Sequence, residues 1–413
     1  MTIVPMTGDG AARAPRTPLY PSIALYVRYV LWGLFVLCSS TGLWQYTSDH
    51  PERYAWLIAD FTVACLLLRY QSQFINIALS NPIFTSWGLI AAVSAAWSVA
   101  PSVSLYQGIQ LLMTTLVAFL ICIHLRLHQF VAIIFWAMLV AAVIALVSAV
   151  VPPNIGIDYV GNWRGAFPSK NVMGDAMILL VISACCLFLQ GRWRLISTGA
   201  IALGMFLIFM TRSATPILSV FLTLAPVPYA YALVRGRTAF LFLLGITFTI
   251  ASAAVIIAYI TISYYGADPV GAVLSLVGKQ RSLTGRTLLW DLAEDAIGKS
   301  PWLGYGYNGY WAHPPAEMLQ VRAAFRQAIA FFHNNFLEVT VAYGVIGPIL
   351  LSLGIIVALI RSVRRLFYTV DPIEIWPLLI VLQVLIQAPV QNPLLANHSL
   401  WHVVFVAAAV IRR

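Results

Sequence analysis

The chain has 413 residues, of which 61% are hydrophobic and only 9% are charged, and its mean hydropathy is +0.87. Water-soluble domains carry about 25% charged residues, so this composition excludes them, together with disordered and fibrous proteins. The formal net charge of +10 is first a signal of membrane topology. The five cysteines lie within apolar runs and predict neither a disulfide framework nor a thiolate metal site.

Apolar runs between polar breaks predict about twelve transmembrane helices, because a helix needs roughly 20 mostly apolar residues to cross a bilayer. The first run follows Arg13 and Arg16 and is expected to be an uncleaved span. We therefore predict an all-α integral membrane protein with a single membrane domain over residues 1–413. The predicted spans are 22–45, 54–70, 83–98, 103–123, 129–151, 171–190, 195–211, 214–234, 239–264, 335–360, 375–390 and 397–411.

The distribution of arginines gives the predicted orientation. Thirteen arginines fall in the predicted inner loops and termini, whereas the short outer loops near 46–53, 99–102 and 391–396 hold only Arg53. Cytoplasmic loops are enriched in basic residues, so both termini are predicted to be cytoplasmic. The thirteen are Arg13, Arg16, Arg69, Arg126, Arg192, Arg194, Arg235, Arg237, Arg361, Arg364, Arg365, Arg412 and Arg413.

Nine further basic residues lie in predicted outer loops, where they have no role in orientation. Snorkelling to lipid phosphates is one explanation for them. An anion site is the other, and the several negative oxygens of a pyrophosphate suit the forked donors of arginine. The residues are Arg164 and Lys170 before span six, Arg212 between spans seven and eight, and Lys279, Arg281, Arg286, Lys299, Arg322 and Arg326 in the 265–334 loop.

The 265–334 loop is predicted to be a structured periplasmic subdomain, because long ordered loops commonly carry function. It contains a short amphipathic helix at about 285–298, with an apolar face at helical spacing. The acids Asp291, Glu294 and Asp295 on its other face are explained either by solvation or by a metal site. Solvation is the simpler explanation, and we predict no metal.

Two further segments of this loop carry candidate residues. Three glycines in the run 301–311 allow close backbone approach, and Tyr305 and Tyr307 could stack on sugars or belong to an interfacial aromatic belt. The glycines lack the spacing of a phosphate-binding loop, which excludes nucleotide binding. His333 and Asn334 precede span ten, where the helix dipole favours a neutral imidazole able to act as a base. A structural hydrogen-bonding role for His333 is the alternative.

Polar residues also occur where the chain re-enters the bilayer. Lys170 and Asn171 open span six, and Arg212 occupies a tight turn where an arginine is costly unless it is paired or functional. Asp175, shortly after Asn171, is near enough to the outer face to belong to the same site. We expect the remaining buried acid, Asp60, to pair with Arg28 for structural reasons.

Five short motifs in order carry a resemblance to a known family. They are Arg164-Gly165 with Lys170-Asn171; Thr211-Arg212-Ser213; Gly285-Arg286 followed by Trp290; Pro301-x-x-Gly304-x-Gly306; and His333-Asn334 with Gly344 and Gly347. In these motifs the chain resembles the O-antigen ligase and polymerase superfamily of bacterial envelope biogenesis, and most of all the ligases that join O-antigen to the lipid A core. The motifs cover about residues 150–350, and the first 150 residues match only in hydropathy.

The resemblance implies a GT-C-like helical bundle in the inner membrane of a Gram-negative bacterium, with a periplasmic active site. The implied reaction transfers O-antigen polysaccharide from undecaprenyl pyrophosphate to a sugar hydroxyl of lipid A–core, and so completes lipopolysaccharide. It is inverting and needs no metal, ATP or other cofactor, and the implied partners are these two substrates and membrane lipids, without nucleic acid. The resemblance implies catalytic roles for Arg212, Arg286 and His333. The predicted substrate-binding residues are Arg164, Lys170, Asn171, Asn334, Tyr305 and Tyr307.

Within this mechanism, the arginines stabilise the leaving pyrophosphate, and His333 takes or orients the acceptor proton; Glu338 is a weaker candidate base. Two alternatives stay open. A polymerase of the same superfamily would use the growing chain as acceptor and look similar. A lipid-linked sugar transporter would instead depend on ionisable residues within the spans, such as Asp60 or Asp175.

Overall fold

The computed structural model describes residues 23–40, 52–152, 155–158, 161–236, 286–325, 329–391 and 394–412, with isolated positions between 238 and 251. Regular structure within these residues is helical, because a helix satisfies its backbone hydrogen bonds without water. The helices are α1 (Ile23–Ser40), α2 (Glu52–Arg69), α3 (Gln71–Ser80), α4 (Pro82–Val93), α5 (Pro101–His124), α6 (Leu127–Val150), α7 (Lys170–Gln190), α8 (Arg194–Met210), α9 (Ala214–Leu224), α10 (Val227–Arg235), α11 (Arg286–Lys299), α12 (Gly309–Ala312), α13 (Ala316–Phe325), α14 (Asn335–Tyr343), α15 (Ile346–Phe367), α16 (Trp376–Gln387) and α17 (Leu400–Val410).

Five helices in the described part are long and apolar enough to cross a membrane: α5, α6, α7, α9 with α10, and α15. A sixth span results if α3 and α4, which meet at an angle of 100°, are counted as one broken span. The prediction of a helical, multi-pass membrane protein is therefore confirmed. The number twelve stays a prediction, and predicted span 239–264 lies mostly outside the described residues.

The core of the bundle surrounds α7, which packs against α6, α8, α9 and α16. In its most apolar window, 72% of α7 is buried, a larger share than in the other four long spans. Small residues bring other helices close: a Cβ on Gly108 of α5 would lie 2.5 Å from the backbone of Ala91 in α4. Such close backbone approach is typical of helix packing in membranes.

Loops from distant parts of the chain meet at two ends of the bundle. At one end, which we call the arginine-rich end, the Leu127 N–H donates to the Arg412 carbonyl at 3.4 Å, and the Gln190 amide donates to Asp371 at 3.1 Å. At the other, the loop end, the Val99 N–H donates to Tyr305. The predicted inner and outer loops thus separate onto opposite ends.

Residues 286–343, which we call the outer unit, have a hydrophobic cluster of their own at the loop end. Its buried members are Leu289, Ala293, Ala296, Tyr310, Met318, Val321, Phe332 and Val341. The predicted amphipathic segment is α11, and three of these residues lie on its buried face, although Leu288 on the predicted apolar face is 43% exposed. On its polar face, Asp295 pairs with Lys299 at 2.6 Å.

The predicted tenth span, 335–360, is divided into two helices. The chain breaks at Gly344, which has a φ of +59°, and a Cβ there would lie 2.3 Å from the Trp302 carbonyl. Only glycine adopts this conformation at such close backbone approach without strain. The helix α14 belongs to the outer unit, and the spanning helix α15 begins at Ile346, so His333 and Glu338 lie outside the membrane-spanning segment.

Candidate active site

Arg212 lies in the turn between α8 and α9 at the loop end. Its side chain is exposed and its φ is +49°, a left-handed conformation that costs a non-glycine residue about 1–2 kcal/mol. The turn is fixed by buried Thr211, whose hydroxyl donates to the Ile208 carbonyl at 2.7 Å and accepts from the Ser213 N–H at 3.1 Å. A rigid turn therefore presents the guanidinium to the outside of the bundle.

The start of α7 packs directly against this turn. The Ser213 hydroxyl donates to Asn171 Oδ1 at 2.7 Å, and Gly174 approaches so closely that a Cβ would lie 2.4 Å from the Pro216 ring. Ser169 caps the helix by accepting from the Val172 N–H at 3.3 Å. The first turn of α7, with its positive dipole end and Lys170, thus lies beside the Arg212 turn.

Arg164 is on a third segment at the same place. The Trp163 N–H donates to the Met210 carbonyl at 3.2 Å, two residues before Arg212, and the Arg164 N–H donates to Gly156 at 2.8 Å. Arg164, Lys170, Asn171 and Arg212 are therefore carried by three neighbouring segments of the loop end.

The backbone around His333 is held by the outer unit. The Phe332 carbonyl accepts from Trp290 Nε1 at 3.0 Å, and the Phe332 N–H donates to Glu338 Oε2 at 2.9 Å. His333 has a φ of +55°, and its half-buried ring contacts Phe331 with 4.3 Å between centroids. Like Arg212, it is presented from a left-handed residue in a fixed turn.

Glu338 has both carboxyl oxygens engaged. Oε1 accepts from Trp311 Nε1 at 2.5 Å, while Oε2 holds the Phe332 N–H. Removal of this carboxyl from water raises its pKa to about 7, although the two hydrogen bonds lower it. The geometry makes Glu338 a residue that positions the His333 turn.

Arg286 and Asn334 lie at the starts of two helices of the outer unit. The Arg286 side chain lies outside the described residues, but α11 begins there and brings Trp290, one turn later, to the Phe332 carbonyl. Asn334 caps α14, because its Oδ1 accepts from the N–H groups of Phe336 and Leu337 at 3.0 and 3.2 Å. This side chain thus orients the helix that follows His333.

The two tyrosines predicted to stack on sugars are used within the protein. Tyr307 is 5% exposed, its hydroxyl donates to the Leu395 carbonyl at 3.0 Å, and its ring is parallel to that of Tyr343. The Tyr305 hydroxyl donates to the Ala296 carbonyl at 3.2 Å. Tyr305 therefore stabilises the outer unit, and Tyr307 attaches that unit to the bundle. Neither tyrosine contributes to the site that we propose.

A cavity of about 340 Å³ opens beside α7 and the His333 turn. Phe331 lines it from the outer unit, and Asp175 lines it from α7. Asp175 Oδ1 accepts from Gln387 Nε2 at 2.5 Å. Among the described residues, none provides an acceptor for the buried Nε2 of Gln391, which also lines the cavity. A sugar hydroxyl is a suitable partner for such an amide.

His398, for which no role was predicted from the sequence, also lines this cavity. Its Nε2 lies 3.0 Å from Asp60 Oδ2, and its ring stacks on Trp56 with 5.0 Å between centroids. Among the described residues, this histidine is therefore a partner of Asp60. The expected pairing of Asp60 with Arg28 stays a prediction, because the Arg28 side chain lies outside the described residues. Gln387 and Gln391 could have been identified as candidate site residues from the sequence, because amide side chains in apolar spans usually have polar partners.

The site therefore combines fixed positive charge, the His333 imidazole and a neighbouring cavity whose mainly apolar lining carries a few polar side chains. An arrangement of this kind can stabilise a leaving anion and receive a proton from an attacking hydroxyl. The described part of the chain contains no group of three His, Cys, Asp or Glu side chains placed to bind a metal ion.

Two comparisons with known proteins give matches to this chain. The family described as O-antigen ligase matches residues 178–352, which include Arg212, Arg286 and His333. The chain is also 27% identical over 346 residues to the exopolysaccharide production protein ExoQ of Rhizobium meliloti (strain 1021), covering 81% of this chain and 77% of that protein. Both matches support the resemblance to the O-antigen ligase and polymerase superfamily that the motifs indicate.

Proposed function

We propose that the loop end transfers a saccharide from a lipid pyrophosphate to the hydroxyl of an acceptor sugar. Similarity to the superfamily supports a membrane enzyme that acts on lipid-linked polysaccharides. The observation that carries the proposal is that the three segments bearing Arg164, Lys170 and Arg212 contact one another at the loop end. One of them, the start of α7, also lines the cavity to which Phe331 contributes from the outer unit.

In the proposed reaction, the acceptor oxygen attacks the anomeric carbon as the bond from that carbon to the pyrophosphate breaks. The lipid pyrophosphate leaves with the electron pair, and a single displacement inverts the anomeric centre. Negative charge grows on the leaving oxygens, where Arg212, Arg286 and Arg164 would each stabilise it by a few kcal/mol. The N-terminus of α7, with Lys170, adds a positive dipole at the same place.

His333 would take the proton of the acceptor hydroxyl or orient that hydroxyl for attack, a contribution of about 10²–10⁴ in rate. Asp175 and Gln391 would bind hydroxyl groups of the saccharide within the cavity. The energy for transfer is already stored in the donor pyrophosphate, so the proposed reaction requires neither nucleotide nor metal. Both substrates would enter sideways from the bilayer.

Two acceptors are consistent with this chemistry. The first is a sugar of lipid A–core, which makes the protein an O-antigen ligase that receives undecaprenyl-pyrophosphate-linked O-antigen. The second is the growing polysaccharide itself, which makes it a polymerase. The second is favoured by one observation, that the relative covering 81% of this chain is a protein of exopolysaccharide production.

The proposed setting is the inner membrane of a Gram-negative bacterium, with the loop end in the periplasm. The Gram-negative inner membrane is what the resemblance implies, and the apolar runs predict twelve spans. The arginine distribution supports cytoplasmic termini and a periplasmic loop end. A periplasmic site agrees with the need to meet a lipid-linked polymer after it has crossed the membrane.

Reconstitution tests the proposal directly. The purified full chain in liposomes is given a lipid-pyrophosphate-linked saccharide and either lipid A–core or a second donor molecule, with a metal chelator present. We expect glycosyl transfer to one acceptor, and loss of transfer with Arg212→Ala but not with Arg235→Ala, an exposed arginine in α10. Absence of transfer to both acceptors, or dependence on metal, would contradict the mechanism.

The phenotype of cells separates the remaining possibilities. Loss of a ligase leaves lipid A–core without O-chains while lipid-linked polymer accumulates, whereas loss of a polymerase leaves core bearing one repeat unit. A transporter would tolerate Arg212→Ala and fail with Asp60→Asn or Asp175→Asn. That last result would indicate that the protein is a transporter and not an enzyme.

A further inference from the structure

We infer that the arginine-rich end contains a binding site for the phosphodiester head group of an anionic phospholipid. The site is a cavity of about 430 Å³ between α3, α15 and α17, far from the proposed active site. Four arginines line it: Arg361, Arg364, Arg365 and Arg412. The inference concerns the other end of the bundle and does not depend on the proposed function.

Positive charge predominates in the lining of this cavity. None of the residues that line it is acidic. Buried Glu374, which is not part of the lining, lies 3.5 Å from Arg365 Nη1. A lining that carries four guanidinium groups and no carboxylate favours an anion with several oxygens.

Two of the arginines are held in place by hydrogen bonds that are mostly to neutral groups. Arg361 donates to the side chain of Asn81 and to the Ala409 carbonyl, and Arg365 donates to the Ile411 carbonyl. Neutral acceptors fix the orientation of a guanidinium without removing its charge. The interior of the cavity is therefore ordered before an anion arrives, which lowers the entropic cost of binding it.

The other two arginines are at the mouth of the cavity. Arg364 and Arg412 are both exposed, and Tyr368 beside them is 71% exposed. Long, exposed side chains of this kind can fold over a phosphate that enters from the membrane surface. The ordered pair inside and the exposed pair outside thus provide contacts on more than one side of a head group.

The surface leading to the cavity explains why the ligand is a lipid. On α15, Ile349, Leu353, Ile356 and Ile360 are each 46–52% exposed, and their spacing places them on one helical face. Arg364 follows Ile360 by four residues and continues this face. A lipid with its phosphate in the cavity would therefore lay an acyl chain along an apolar strip that faces the bilayer.

Membrane orientation alone does not account for this cluster. The positive-inside rule requires arginines on the cytoplasmic side, but it does not require four of them to line one cavity. Arg194 and Arg235, which the same rule places on that side, are exposed and do not line it. Basic pockets between helices on the cytoplasmic side are a known form of lipid head-group site.

The test is lipid binding by the purified, delipidated full chain. Native mass spectrometry is used to compare binding of phosphatidylglycerol, phosphatidylethanolamine and inorganic phosphate to the wild type and to the Arg364→Gln/Arg412→Gln double variant. These two exposed positions are chosen because Arg361→Gln would break structural hydrogen bonds. The matched control is Arg194→Gln/Arg235→Gln, which removes the same charge elsewhere on that end.

We expect phosphatidylglycerol to bind the wild type more tightly than phosphatidylethanolamine. We also expect its affinity to fall by about thirtyfold in the Arg364/Arg412 variant, since each basic residue near a membrane surface contributes about a factor of five. The control variant should keep the wild-type affinity. Equal binding of the two lipids, equal loss in both variants, or displacement of phosphatidylglycerol by millimolar phosphate would overturn the inference.

Discussion

Replacing Glu338 by glutamine tests how the outer unit holds the His333 turn. The two oxygens of Glu338 accept from Trp311 Nε1 at 2.5 Å and from the Phe332 N–H at 2.9 Å. Glutamine has a single acceptor oxygen, so one of these donors would face an NH₂ group. An unsatisfied donor costs about 1–3 kcal/mol, and we expect the free energy of unfolding to fall by this amount.

The same substitution separates a positioning role from a chemical one. If Glu338 only positions the His333 turn, transfer should slow by about tenfold, whereas loss of a general base costs about 10²–10⁴. Transfer is measured in proteoliposomes, and unfolding is followed by circular dichroism in detergent. Glu317→Gln is the control, because that carboxylate is exposed on α13 of the same unit.

The pH dependence of stability provides a second measurement. Burial raises the pKa of Glu338 from 4.5 to about 7 in the folded protein, so the folded state holds this proton more tightly than the unfolded chain. The stabilisation is complete below about pH 4.5 and is lost as the pH rises through 7. The thermal midpoint of the wild type should therefore fall more steeply over this window than that of Glu338→Gln. Equal midpoints and equal rates, or complete loss of transfer, would refute the positioning role.

Three further substitutions have defined outcomes. Arg212→Ala should leave the thermal midpoint unchanged and lower the transfer rate by about 10²–10³, because the side chain is exposed and acts on the leaving group. Gly306→Ala should lower the free energy of unfolding, measured by denaturation, by about 1–3 kcal/mol. The reason is that Gly306 has a φ of +83° and that the new Cβ would lie 2.3 Å from Ser98 Cβ. The control Gly298→Ala should leave the free energy of unfolding unchanged, because Gly298 has open space around it. Gln391→Leu should raise the KM for the saccharide donor without destabilising the protein, and an unchanged KM would remove Gln391 from the proposed saccharide site.

The sequence predicted those parts of the fold that depend on hydropathy and charge alone. Apolar runs indicate helices at the predicted spans, and the arginine alternation anticipates which loops meet at each end, because both signals reflect the bilayer rather than tertiary contacts. The Arg212 turn and the start of α7 were predicted as site segments for the same reason. An ionisable residue at a membrane boundary is conspicuous in an otherwise apolar sequence.

Features that depend on tertiary packing were not predictable in this way. The helix break at Gly344 lies within an apolar run, so hydropathy does not reveal it. The break depends on the φ of +59° at Gly344 and on the close approach of the Trp302 backbone. The role of Tyr307 depends on a contact with Leu395, 88 residues away in the sequence. His398 lies in a short connection whose composition gives no signal, and only folding brings it to Asp60.

The hydrogen bonds that meet at Phe332 have a consequence for the biogenesis of the protein. Trp290 and Glu338 reach this residue from two different helices of the outer unit. A newly inserted chain whose membrane helices are in place but whose residues 286–343 are still unassembled would lack the reactive geometry. If the proposed function holds, assembly of the outer unit would therefore precede activity, and newly inserted chains would be inactive until that unit had folded.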